Sequence, residues 1–301
     1  MPSIWTHILF SEDVLDTVTG PHPFARIEAF MKLGAQGPDL FFYDNILPWA
    51  SSNYPAQKIG SRLHEQHCGD FIIDLIEAAK NERGQLRAYV FGFISHYLLD
   101  RNTNPYIDYL ASHKGIDRRK IKLNIDTLIM ERTHNLKTWE APVFKEIDVG
   151  FRLNQDIVLL LHQLISKHYP EFEQDSPGYI KKAYRDMKRA LKLLADPYGW
   201  NSKLLKSRYA THFHQPIDDN IDYLNVQAAT WYHPVTKKPS SKSFLDLYED
   251  ARAEGLEIMP ELLNYWESNN DAVTDKLIRL IGNKSYETGL PLTSSIHKVN
   301  L

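Results

Sequence analysis

The stretch FGFISHYLLDRNTNPYIDYL, residues 91–110, decides how this chain reads. It places His96 and Asp100 four residues apart inside an apolar run. That spacing is a little over one helical turn, so both side chains project from one face. Phe91, Phe93, Ile94, Leu98 and Leu99 surround the pair, and a helix so flanked is expected to be buried. An imidazole and a carboxylate inside a core need a partner. A divalent metal is one solution. A hydrogen bond within the pair is another. On this segment alone both stay open.

Helical periodicity continues outward on both sides. It predicts helices over residues 7–19, 23–33, 56–80, 84–101 and 117–133. Further helices are expected near 152–168, 176–195, 241–254, 257–269 and 271–282. Residues 35–55 form a loop rich in Gly, Pro, Asn and aromatics, too long for a passive connector. Residues 196–240 hold Pro197, Pro216, Pro234 and Pro239 with many aromatics. They read as an ordered excursion with short helices, because Trp200, Tyr209, Phe213, Trp231 and Tyr232 need burial. No strand alternation and no repeat is evident. The expected fold is an all-α multi-helix bundle forming one domain over residues 1–301, with a metal-binding core at 1–135 and a helical extension at 136–301.

Other segments carry matching chemistry. MPSIWTHILFSEDVL opens a helix with His7. GAQGPDLFFYD places Asp39 in a Gly-Pro loop, and KIGSRLHEQHCGDFIIDLI places His64 on a long helix. The order His, loop Asp, His, then HxxxD followed by xPYI resembles the zinc-dependent phospholipase C family, whose fold is shared with single-strand-specific zinc nucleases. The resemblance covers roughly residues 1–135. It implies a metal site of Asp39, His64, His96 and Asp100, with Asp100 bridging to a neighbouring ion that His7 also binds. One or two zinc ions are therefore expected, other divalent metals being possible. His67, three residues after His64, is the alternative on that helix and is read as a surface residue or as support for the ligands. Glu65 and Asp70 are expected on the solvated side.

The chain also departs from that family. Asn104 stands where a metal-binding His is expected. Counting back from Asp126 in IKLNIDTLIMER puts Lys122 at a Glu position and Arg118 at a His position. Neither charged side chain can ligate a metal. Either His113 and Asp117 rebuild a site, or Arg118 and Lys122 supply fixed positive charge that holds a phosphate. The bland alternative is that DRRKIK is a solvated helix face. His212 and His214, near Asp218 and Asp219, read as loop residues with some potential for metal.

Composition narrows the classes. Net charge is −3, which gives no signature of a nucleic-acid binder. The single Cys68 excludes an intramolecular disulfide and argues against a Cys-rich zinc site. No run approaches the length of a membrane span, so stable membrane insertion is not expected. The first fifteen residues lack a basic start followed by an apolar run, so a cytoplasmic location is expected. Gly-rich phosphate loops, GxSxG and HExxH are missing from the sequence.

The expected function is metal-dependent hydrolysis of a phosphoester, a small phosphorylated substrate or a phospholipid head group. Asp39 would orient or deprotonate a water, Arg118 and Lys122 would stabilise developing charge, and Phe41, Phe42, Tyr43 and Trp49 would wall the cleft. The alternative is a degenerate relative that binds a metal or phosphorylated ligand without turnover. A single-strand nuclease is a third reading.

Overall fold

The computed structural model describes residues 4–19, 24, 27–44, 56–82, 84–172, 174–195, 214–270 and 272–292. Gly20, Pro21, Pro23, Trp49, Trp200, Tyr209, His212 and Phe213 lie outside the described residues. The fold is the expected all-α bundle. Its helices are α1 (Ile4–Thr19), α2 (Glu28–Gly34), α3 (Ala56–Glu65), α4 (Cys68–Ala78), α5 (Gln85–Lys114) and α6 (Arg118–His134). Then follow α7 (Gln155–His168), α8 (Gly178–Leu194), α9 (Phe244–Glu267) and α10 (Asp275–Ile281). A 3-10 helix, Gly37–Tyr43, carries Asp39. Among the described residues the only sheet is a two-residue antiparallel pair, Trp231–Tyr232 with Pro239–Ser240, where short helices had been expected.

Helix α5 is the axis. It is buried nearly all round along its middle, and α1, α2, α6 and α9 lie against it. The approach of α2 is unusually close because glycines face each other's backbones. A Cβ on Gly92 would lie 2.0 Å from the Met31 carbonyl, and one on Gly34 would lie 2.0 Å from the Tyr89 carbonyl. This crossing delivers the chain directly into Gly37–Tyr43.

Several sequence boundaries shift, each for a physical reason. The helix expected over 56–80 is two helices, because His67 takes a left-handed conformation (φ 51°) between α3 and α4. Apolar spacing alone does not reveal such a break. Asp70, expected in solvent, is buried and receives Asn283 Nδ2 at 3.3 Å. Helix α5 runs well past 101, straight through Pro105. Proline removes the donor for the Arg101 carbonyl. Gly289 packs on that carbonyl so closely that a Cβ there would sit 2.4 Å away. Likewise α9 is one helix through Pro260, not two. Its start is fixed by a capping box between Ser243 and Asp246.

Candidate metal centre

Four segments converge on Asp100. His96 and Asp100 lie one turn apart on α5, His7 comes from α1, His64 from α3 and Asp39 from the 3-10 helix. All five are buried to 3% exposure or less. Donor atoms of His7, Asp39, His96 and Asp100 lie within 4.8 Å of one another, a group that could hold a metal ion. His64 lies beside this group, with Nε2 3.3 Å from Asp39 Oδ1 and 3.8 Å from Asp100 Oδ2.

The orientation of the rings is informative. His96 Nδ1 is 3.0 Å from the Ala35 carbonyl and His64 Nδ1 is 2.7 Å from the Gly60 carbonyl. A carbonyl only accepts, so each Nδ1 carries a hydrogen, and each ring, when neutral, turns an Nε2 lone pair inward. His96 Nε2 then faces Asp100 Oδ2 at 3.4 Å. Neither atom has a hydrogen-bond partner among the described residues. A neutral ring and a carboxylate facing each other in a dry interior need a proton or a metal ion between them. The donor set of imidazole nitrogens and carboxylate oxygens suits zinc.

Electrostatics point the same way. Burial pushes Asp100 up, but the Lys122 charge and then His96 and His7 outweigh it and hold the carboxyl well below its usual range. Asp39 behaves alike: burial raises it, and the His64 hydrogen bond with His96 and Lys122 brings it below normal. Burial, reinforced by His96, lowers His7 to about 4, so its ring is neutral near pH 7. His64 is also opposed by burial, yet its bond to Asp39 raises it.

The remaining expected residues divide. Lys122 is buried, with Nζ 3.4 Å from Asp100 Oδ1. Arg118 lies one turn earlier, half-buried between Asp108 (3.0 Å) and the Glu287 carboxylate. Asn104 donates to the Tyr286 carbonyl at 3.0 Å. His113 is exposed and stacks on Tyr109, while Asp117 caps α6 by accepting the Arg119 N–H, so these two build no site. His214 comes near Asp126 at 3.8 Å, and Asp219 pairs with Lys120. Phe42, partly exposed, stacks over His64, whereas Phe41 and Tyr43 are buried.

Two supports were not legible in the sequence. Asp126 accepts the N–H groups of Trp5 and Thr6 and so fixes the start of α1 beside His7. A strap after α10 closes the far side. Tyr286 N donates to the His64 carbonyl, and its ring lies 4.9 Å from His64 and 5.9 Å from His96. The only local signal in NKSYETG is its turn glycine.

Residues 6–147, slightly less than half of the 301-residue chain, match the family described as zinc dependent phospholipase C. Searches of curated proteins and of solved structures return no significant match.

Proposed function

We propose that the protein, whose residues 6–147 match the zinc-dependent phospholipase C family, hydrolyses a phosphoric ester using zinc held by His7, Asp39, His64, His96 and Asp100. The carrying observation is the facing pair His96 Nε2 and Asp100 Oδ2, buried and unpartnered at 3.4 Å. A divalent ion bound there supplies Lewis-acid polarisation of a phosphoryl oxygen and makes a water acidic enough to attack near neutral pH.

The chain's own residues prepare that chemistry. The carbonyls of Ala35 and Gly60 hold the His96 and His64 rings in one tautomer. Asp39, being held below its ordinary range, is a weak base. Its role is therefore to orient a water by accepting its hydrogen bond. Lys122, its ammonium beside Asp100, would stabilise developing phosphoryl charge. Arg118 reaches a phosphate only by leaving Glu287 or Asp108. Phe42 forms the wall beside His64; Trp49, expected there too, lies outside the described residues. The substrate is a small phosphorylated molecule or a phospholipid head group, and no described helix is long and apolar enough to cross a membrane.

The engagement of Arg118 by two carboxylates favours one other reading, a metal-holding relative without turnover. The two separate in one assay series. Bis(p-nitrophenyl) phosphate, p-nitrophenyl phosphocholine and p-nitrophenyl phosphate are offered before chelation, after it, and with zinc restored. Turnover that is lost and regained, and missing in His96→Ala, supports hydrolysis. Bound zinc without turnover of any of the three supports the non-catalytic reading.

A further inference from the structure

Asp100 divides its surroundings between its two oxygens. Oδ2 faces His96 Nε2 at 3.4 Å and His64 Nε2 at 3.8 Å. Oδ1 faces His7 Nε2 at 3.3 Å and Lys122 Nζ at 3.4 Å. A carboxylate in this position can join two cations, one to each oxygen. The Oδ2 side offers imidazole nitrogens, each a metal ligand when it gives up its proton. On the Oδ1 side one neighbour is an ammonium, which has donors and no lone pair.

We propose that the Lys122 ammonium is a built-in second cation: the centre takes one divalent ion per chain, and Lys122 fills the place where another would share Asp100. This inference rests on the metal reading above and adds its stoichiometry.

Three observations support it. Lys122 is 6% exposed, and a buried ammonium needs an anionic partner, here Asp100 Oδ1. Apart from His7 and Asp100, no described side chain around Oδ1 offers a ligand to another ion. Asn104 is neutral and tied to the Tyr286 carbonyl. Arg118 is cationic, and the nearby carboxylates of Asp108 and Glu287 lie against its guanidinium. Finally, Lys122 is held in place. It sits one turn before Asp126, which binds the start of α1, so α6 is fixed to α1 on the same face that meets α5. His7 is left to serve the one ion, its donor atom being within 4.8 Å of those of Asp39, His96 and Asp100.

The test is zinc titration of chelator-treated protein by calorimetry, with elemental analysis after dialysis. Wild type should take up one zinc per chain. Lys122→Glu, which adds a carboxylate where the ammonium stood, should take up two. Lys122→Gln should still bind one, about tenfold more tightly, because a like charge beside the ion is gone. Two ions in wild type would overturn the proposal. So would a folded Lys122→Glu with a single ion, or a Lys122→Gln whose affinity is unchanged or weaker. If Lys122→Glu does not fold, the affinity of Lys122→Gln decides. Failure of wild type to bind any zinc would overturn the metal reading itself, a result distinct from binding two.

Discussion

Asp126 on α6 accepts the backbone N–H of Thr6 at 3.0 Å across 120 residues of sequence, and the next residue is His7. The same carboxylate also takes the Trp5 N–H at 3.1 Å and the Thr6 hydroxyl at 2.5 Å. Those amides are free donors of the first turn of α1, so Asp126 works as a cap supplied from another helix. It thereby sets where His7 enters the site.

Replacing Asp126 by Ala strands these donors in the core. The expected loss is about 2–4 kcal/mol in urea denaturation, together with weaker zinc binding through displaced His7. Asp126→Asn keeps an acceptor and should lose roughly half as much. Equal stability of Asp126→Ala and wild type would refute the capping role.

The α2–α5 crossing should be just as intolerant of a methyl group. Gly92→Ala would put Cβ 2.0 Å from the Met31 carbonyl, so the helices must part. The expected cost is about 3 kcal/mol, and Asp39 should move because it follows α2 by five residues. Gly178→Ala is the control, since its nearest neighbour would be Ser176 Oγ at 3.6 Å. Comparable melting temperatures for the two variants would show that the close approach is unimportant.

These contacts mark what the sequence did and did not disclose. The spacing of His96 and Asp100 on an apolar helix was readable, because helical geometry alone puts them on one face. The positions of His7, Asp39 and His64 came from motif order; His7 and Asp39 lie in one group with Asp100, and His64 lies 3.8 Å from it. The helix break at His67 was hidden, since a single left-handed residue leaves the apolar spacing intact. The path of α5 through Pro105 was hidden as well, because Gly289, nearly two hundred residues away in sequence, packs on the freed carbonyl. Tyr286 and Glu287 carry no periodicity that connects them to the site. Helical spacing puts Arg118 and Lys122 on one face of α6, but the two carboxylate partners of Arg118 are tertiary and leave no local signal.

Acid should destabilise the metal-free protein through His7. Burial lowers this ring from 6.5 to about 4. Between those values the unfolded chain holds a proton that the folded His7 does not, so stability falls as pH drops from about 6.5 toward 4. The full contribution is on the order of 3 kcal/mol. Urea denaturation with chelator present should give a steeper pH slope in this window for wild type than for His7→Gln. Identical slopes would contradict a neutral, buried His7.

Removing the Tyr286 ring should loosen the far wall of the centre. The side chain is 1% exposed and lies against His64, His96 and Tyr97. Tyr286→Ala is expected to cost about 3–5 kcal/mol as a large core deletion and to weaken zinc binding. Tyr286→Phe should bind zinc like wild type, because the backbone of residue 286, not its hydroxyl, contacts His64 and Asn104. Zinc affinity unaltered in Tyr286→Ala would separate the strap from the site.

The most direct measurement is anomalous diffraction at the zinc absorption edge from crystals grown with zinc. The account requires a single strong peak enclosed by His7, Asp39, His64, His96 and Asp100, about 2.0–2.2 Å from the ligand atoms, with the Lys122 ammonium still beside Asp100. No peak among these five residues, or the only peak elsewhere on the protein, would contradict it.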